Sequence, residues 1–211
     1  VIGPGKALLD FGSGSGEFVA AAQQAGMEAV GIEPGESYAA VAEKTHGITV
    51  INEPWQRVSL PEGKFDVITT HHVLEHLSRP VDALRALAGW LKEDGVLYVS
   101  VPDLSPRPRK QAFELFHFAH VYGFTPRTLA FAARQAGLEP DPRFPPQGTT
   151  MVYRKRREPA SEAAFEPEFP AATLPSLYPG RDPLRHLASG RWIVDMVRRM
   201  RKDVRDTLAA G

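Results

Sequence analysis

Ala7-Leu8-Leu9-Asp10-Phe11-Gly12-Ser13-Gly14-Ser15-Gly16-Glu17-Phe18 is the stretch that decides the fold. Ala7 to Phe11 is short and apolar and reads as a buried strand. Three glycines at alternate positions follow, and Glu17 to Ala25 (EFVAAAQQA) reads as a helix. Glycine lets the backbone turn sharply and lets a ligand approach, because it has no Cβ. The first N–H groups of a helix lack intrahelical partners and favour an anion. A strand, a glycine turn and a helix N-terminus therefore predict a site for a nucleotide-like ligand.

The spacing narrows the ligand. A dinucleotide fold uses G-x-G-x-x-G. Here Gly12, Gly14 and Gly16 give G-x-G-x-G, and Glu17 stands where the third dinucleotide glycine would be. This places an NAD-linked oxidoreductase below the leading reading. No Lys-Ser/Thr pair follows the loop, so it is not a phosphate-binding P-loop. Asp10-x-Gly-x-Gly-x-Gly resembles motif I of the class I S-adenosylmethionine (SAM)-dependent methyltransferases. That resemblance implies a cofactor loop of Asp10, Gly12, Ser13, Gly14 and Gly16.

Working outward, strands and helices alternate. Gly26 follows the first helix as a C-cap. Strands are expected at Glu28 to Ile32, Ile48 to Ile51, Phe65 to Thr70 and Gly95 to Val101. Helices are expected at Ser37 to Lys44 and at Pro80 to Leu91, where Val81, Leu84, Leu87, Ala88 and Leu91 recur at helical spacing. Thr125-Pro126 is an N-cap and N1 pair opening a helix that stops at Gly137. Leu138 to Arg157 supplies a last pair of strands. The expected fold is α/β: a Rossmann-like, doubly wound, mostly parallel seven-stranded sheet with helices on both faces. Such sheets bind ligands at the carboxyl ends of their strands.

Residues 1–157 are read as the SAM-binding domain. Residues 158–180 hold five prolines and read as an extended linker. Residues 181–211 read as a C-terminal amphipathic helix, with Ile193, Met196, Val197, Met200, Val204 and Leu208 on one face. That face is expected to dock on its own domain or, as a homodimer contact, on a second copy. The chain begins at Val1 and enters its first strand almost at once, which suggests a fragment lacking N-terminal elements.

Composition excludes several classes. Of 211 residues, 25 are Lys or Arg and 25 Asp or Glu, so the net charge is zero. That balance favours neither nucleic acid nor an acidic membrane as partner. The absence of cysteine removes disulfides, thiolate metal sites and a cysteine nucleophile. No apolar run is long enough for a membrane span and no signal peptide is visible, so the expected location is cytoplasmic.

Glu33 ends the second strand. In a Rossmann-like sheet an acid there accepts hydrogen bonds from the ribose hydroxyls, with Pro34 beside it. Asn52 or Glu53, past the third strand, would lie near the adenine. Phe65-Asp66-Val67, Leu74-Glu75-His76 with Pro80, and Leu91-Lys92-Glu93-Asp94-Gly95 resemble blocks of the same superfamily. They lie close to its branch of ubiquinone-pathway, sugar and natural-product methyltransferases. The resemblance covers residues 6–101 and implies that Thr70, His71 and His72 pack against SAM. It assigns Glu75 and His76 to fixing the loop.

Phe116-His117-Phe118-Ala119-His120, running into Phe124-Thr125-Pro126, resembles the H-x-x-H block over the substrate side of SAM in that branch. The implied general base is His120, or else His117 or His72. Two histidines three apart have no third ligand at obvious spacing, so no metal is expected. The Asn/Asp-Pro-Pro-Tyr/Phe motif of base-amine methylation is absent. So is the acidic pair of a magnesium-dependent catechol enzyme after Val101-Pro102-Asp103. A small hydroxylated acceptor, a sugar, phenol or natural product, is left, with a lipid quinol precursor or carbon acid still open. The alternative is a SAM-binding domain with an assembly role and little activity; either way the product cofactor would be S-adenosylhomocysteine.

Overall fold

A computed structural model describes residues 3–105 and 120–157. His117, the linker at 158–180 and the helix expected at 181–211 lie outside the described residues.

Six strands form one sheet in the order β2-β1-β3-β4-β6-β5. β1 is Ala7–Phe11, β2 Glu28–Ile32, β3 Phe65–His71, β4 Leu91–Ser100, β5 Leu138–Pro140 and β6 Thr150–Lys155. β2, β1, β3 and β4 run parallel, while β6 is antiparallel to β4 and β5 to β6. The helices are α1 (Glu17–Gln24), α2 (Glu36–Val41), α3 (Pro80–Trp90) and α4 (Pro126–Gln135). No helix among the described residues is long and apolar enough to cross a membrane.

Strand alternation sorts the core onto two faces. Leu8, Val67 and Val96 pack with Ala22 of α1 on one face. Leu9, Ile68 and Leu97 pack with Leu84 and Leu87 of α3 and Leu129 and Ala133 of α4 on the other. Both faces of the parallel strands are thus covered, which is why these strands read as continuous apolar runs. α4 is fixed at its start by a reciprocal cap: Thr125 Oγ1 accepts from the Thr128 amide at 3.3 Å, and Thr128 Oγ1 accepts from the Thr125 amide at 2.8 Å.

Two elements differ from the sequence expectation. The strand expected at Ile48 to Ile51 is reduced to an isolated parallel bridge between Ile32 and Ile51, so the sheet has six strands among the described residues and not seven. The Ile51 amide donates to Gly31 O and the Glu33 amide to Ile51 O, but the ladder stops on both sides. Toward the start of β2, the Ala29 carbonyl is taken by Gln23 Nε2 at 2.9 Å. Toward its end, the Glu33 carbonyl is taken by Asn52 Nδ2 at 2.8 Å, and the next outward amide, that of Gly35, is given to Glu33 Oε1 at 2.8 Å.

The second difference is β4. It begins at Leu91 rather than Gly95, and its register to β3 jumps from Phe65↔Leu91 to Val67↔Val96. The extra residues bulge out of the ladder, which is how a turn-like Lys92-Glu93-Asp94-Gly95 lies inside a strand. The bulge carries Lys92 over Asp66.

Candidate active site

β1 delivers the chain into the glycine turn at the carboxyl end of the sheet. Gly12, Gly14 and Gly16 all have positive φ, at 80°, 52° and 82°. Two of them also need the missing side chain. A Cβ on Gly12 would overlap Val73 Cγ2, and one on Gly16 would come within 2.6 Å of Ile48 Cδ1 and 2.9 Å of Ala42 Cβ. The turn is therefore seated on the loop after β3 and on the segment after α2. The Gly12 and Ser13 amides both donate to Ile32 O, at 2.8 and 3.1 Å.

The side chain of Ser13 is buried and lies over Gly31, where any Cβ would collide with its Oγ. Its Oγ makes no hydrogen bond among the described residues. Gly31, which the sequence reading did not single out, is what makes room for this packing; its signal was a glycine inside a strand.

Asp10 is buried and accepts a 2.6 Å hydrogen bond from Thr69 Oγ1, its cross-strand neighbour. Burial pushes its pKa above the ordinary carboxylate range; the Thr69 hydrogen bond works against that rise and the charge of Glu33 adds to it. Glu33 spans the mouth of the turn, its Oε2 accepting from the Gly14 amide at 3.0 Å and its Oε1 from the Gly35 amide at 2.8 Å. A carboxylate accepts about four hydrogen bonds, so roughly two positions remain for donors on a ligand. Pro34 is exposed beside it. Asn52 holds the Glu33 backbone, and Glu53 is exposed with Arg57 at 3.8 Å.

α1 starts from Gly16 with no side-chain cap. Glu17 is its first residue, and the hydrogen bond to its own amide, aided by Ser15, lowers its pKa. Three carboxylates, Asp10, Glu17 and Glu33, thus belong to the turn and its borders. Between Lys6 and Lys44 the chain has no lysine or arginine.

The loop after β3 forms the adjoining wall. Thr70 is buried with an Oγ1 that makes no hydrogen bond among the described residues. His71 is exposed, with its ring edge-on to His72 at 4.2 Å between centroids. Desolvation lowers the His71 pKa, His72 adds to the fall and Glu75 opposes it. His72 has a φ of 55°, the one non-glycine residue with positive φ among the described residues. Its Nδ1 lies 3.2 Å from Oε1 of Glu75, which is buried.

Glu75 also joins this loop to the segment before α4: its backbone carbonyl accepts from the Val121 and Tyr122 amides at 2.7 and 3.1 Å. That brings His120 against His76, edge-on at 4.9 Å. A Glu75 oxygen and ring nitrogens of His76 and His120 lie within 4.8 Å of one another. Ligand atoms on a zinc ion at about 2.0–2.1 Å stand about 3.4 Å apart. Glu75 is thus a third potential metal-ligating group beside the two histidines, one that sequence spacing did not offer.

The structure brings Asp10, the three glycines, Glu33, Thr70, His71 and His72 to one end of the sheet. The profile of the family described as "Methyltransferase domain" matches residues 2–142 of this chain. The chain belongs to that family.

The chain is 30% identical over 155 residues to the ubiquinone biosynthesis O-methyltransferase of Bordetella avium, a match covering 64% of this chain and 63% of that protein. The chain thus spans under two thirds of the length of that relative. Among solved structures, a SAM-dependent methyltransferase from Aquifex aeolicus aligns with a TM-score of 0.56 at 17% identity, over 72% of this chain and 81% of that one. The 1,6-didemethyltoxoflavin-N1-methyltransferase of Burkholderia thailandensis, solved with 1,6-didemethyltoxoflavin and S-adenosylhomocysteine, aligns with a TM-score of 0.57 at 22% identity over 72% of each chain. These two structures share the fold, and one of them acts on a nitrogen.

Proposed function

We propose that this methyltransferase-domain chain binds SAM at the glycine turn and transfers its methyl group to a hydroxyl of a small molecule. The observation that carries the cofactor reading is the charge around the turn. Asp10, Glu17 and Glu33 surround it, and no lysine or arginine lies between residues 6 and 44. Such a crevice repels a pyrophosphate and favours a ligand bearing a sulfonium and an ammonium. Glu33 keeps acceptor positions for the two ribose hydroxyls, and the buried Thr70 hydroxyl at the adjoining strand end has hydrogen-bonding capacity to spare.

When bound, SAM supplies an electrophilic methyl group on a sulfonium that becomes a neutral thioether once the methyl has left. The residues of this chain would do the rest. Gly12, Gly14 and Gly16 give the backbone approach, Glu33 orients the ribose, and the walls after β3 and before α4 hold the acceptor in line. Such positioning is worth up to ~7–11 kcal/mol. Proton removal from the hydroxyl adds a further ~10²–10⁴-fold. Candidates for that base are His120 and His72; His117 lies outside the described residues. The choice of a hydroxyl over a nitrogen or carbon acceptor rests on the likeness to ubiquinone O-methyltransferases.

Titration calorimetry tests this reading. S-adenosylhomocysteine and SAM are expected to bind, NAD is not, and Glu33→Gln is expected to weaken SAM by about 10- to 100-fold, the loss of one to two charge-assisted hydrogen bonds. Absence of SAM binding by the unaltered chain would overturn it. Binding without transfer to any acceptor would favour an assembly role for the domain.

A further inference from the structure

We infer that Glu75 is the positioning residue of a carboxylate–histidine pair, and that His72 is the general base it holds. The inference rests on the methyl-transfer reading above and names how the reaction's proton would be removed. Three observations converge on the pair.

The first is the acid. Only 2% of the Glu75 side chain is exposed. Its Oε1 lies 3.2 Å from His72 Nδ1, while His76 Nε2 is 4.0 Å away, beyond hydrogen-bond reach. Its Oε2 makes no hydrogen bond among the described residues. A buried carboxylate is costly unless a charge or a donor meets it, and the contact the structure provides is His72 Nδ1.

The second is the backbone. His72 adopts a φ of 55°, a conformation that costs a non-glycine residue on the order of 1–3 kcal/mol and persists only where its surroundings impose it. Its amide donates to Ser100 O at 2.9 Å, so β4 holds the residue in that conformation.

The third is place. Val73, the next residue, packs on Gly12 so closely that no side chain fits there. The pair therefore adjoins the cofactor turn. The His72 side chain is 48% exposed, and its ring makes no second hydrogen bond among the described residues.

The chemistry follows from the ring. A carboxylate at Nδ1 takes the Nδ1 proton as a hydrogen bond, fixes that tautomer and leaves the Nε2 lone pair to accept a proton. The acceptor hydroxyl would give its proton to Nε2 as its oxygen takes the methyl, and the resulting imidazolium, stabilised by Glu75, would release that proton to water. The other titratable groups facing the pair are His71, His76 and His120.

Ring ¹⁵N NMR of the unaltered chain, with His72 assigned by loss of its signals in His72→Gln, reads the tautomer directly. The Nδ1–H form is expected in neutral His72, and a shift toward Nε2–H in Glu75→Gln. An Nε2–H tautomer in the unaltered chain would overturn the inference whatever the variants do.

Transfer from SAM to 3,4-dihydroxybenzoate as probe supplies the kinetic readout. Glu75→Gln should lower kcat about 10- to 100-fold and leave S-adenosylhomocysteine affinity within twofold. His72→Ala should cost at least as much, and the double variant no more than His72→Ala. Additive losses would overturn the pairing. So would activity abolished by a chelator and restored by zinc or manganese, which would make Glu75 a metal ligand. Failure of the unaltered chain to bind S-adenosylhomocysteine would instead sink the cofactor reading, and binding without turnover of the probe would count against the phenolic acceptor.

Discussion

The two ends of the parallel strands treat their buried acids in opposite ways. At the amino end, Asp66 accepts from Lys92 Nζ at 2.7 Å, Lys6 Nζ at 3.1 Å and the Ala7 amide at 2.9 Å. Burial works against its ionisation, but these three donors outweigh it and hold its pKa at about 2. At the carboxyl end, Asp10 has one neutral donor, a like charge nearby and a raised pKa. Ser13 Oγ, Thr70 Oγ1 and Glu75 Oε2 lie at that end, buried and without hydrogen bonds among the described residues. One end is electrostatically saturated and ties three strands together; the other keeps polar capacity in reserve. The contrast separates what holds the fold from what is available to a ligand.

The largest effect expected is at the turn. Gly12→Val places a branched side chain at a φ of 80° against Val73. Left-handed strain and overpacking together should cost about 2–5 kcal/mol and abolish measurable S-adenosylhomocysteine binding. Urea unfolding and calorimetry check both parts; full binding by this variant would show that the turn is not the cofactor seat.

Asp66 comes next. Its folded pKa lies below its unfolded value, so its contribution is present above about pH 4 and is lost as the pH falls toward 2. With both lysines partly exposed, that contribution is about 1–2 kcal/mol. Asp66→Asn should remove it at neutral pH and flatten the acid limb of a stability–pH profile.

The smallest effect has the opposite sign. Asp10 has a raised folded pKa, so it loses stability as the pH rises through its unfolded value. Asp10→Asn keeps an acceptor for Thr69 and removes that penalty. Its unfolding free energy at pH 7 should be at least that of the unaltered chain, while SAM binding weakens. A destabilised Asp10→Asn would erase the contrast between the two ends.

Much of this is written locally in the chain. β1, the glycine turn and α1 follow from an apolar run, three glycines and a helical pattern within 18 residues, and Thr125-Pro126 marks the start of α4 through capping chemistry alone. Glu33 is legible because its position depends only on where β2 ends. The expected third strand failed for a non-local reason: Gln23 and Asn52 side chains take the carbonyls that a longer ladder needs.

The bulge in β4 hid in a turn-like tetrapeptide whose role depends on pairing with Phe65 and Val67. Asp66 drew notice only as part of a motif, since Lys6 and Lys92 are 60 and 26 residues away from it. The approach of His120 to His76 likewise depends on Val121 and Tyr122 docking on Glu75. Histidine spacing cannot report a contact made across 44 residues.

Gln23, Ile51 and Asn52 have a consequence beyond the site. A parallel sheet that ends on a bare strand offers a template on which other chains can polymerise. Here the outward carbonyls of Ala29, Gly31 and Glu33 are occupied in turn by a glutamine, a single bridging amide and an asparagine. At the far margin β5 is only three residues long and ends in Pro140. Among the described residues, both margins are thereby blunted against growth by strand addition without a fully formed strand to cover either one.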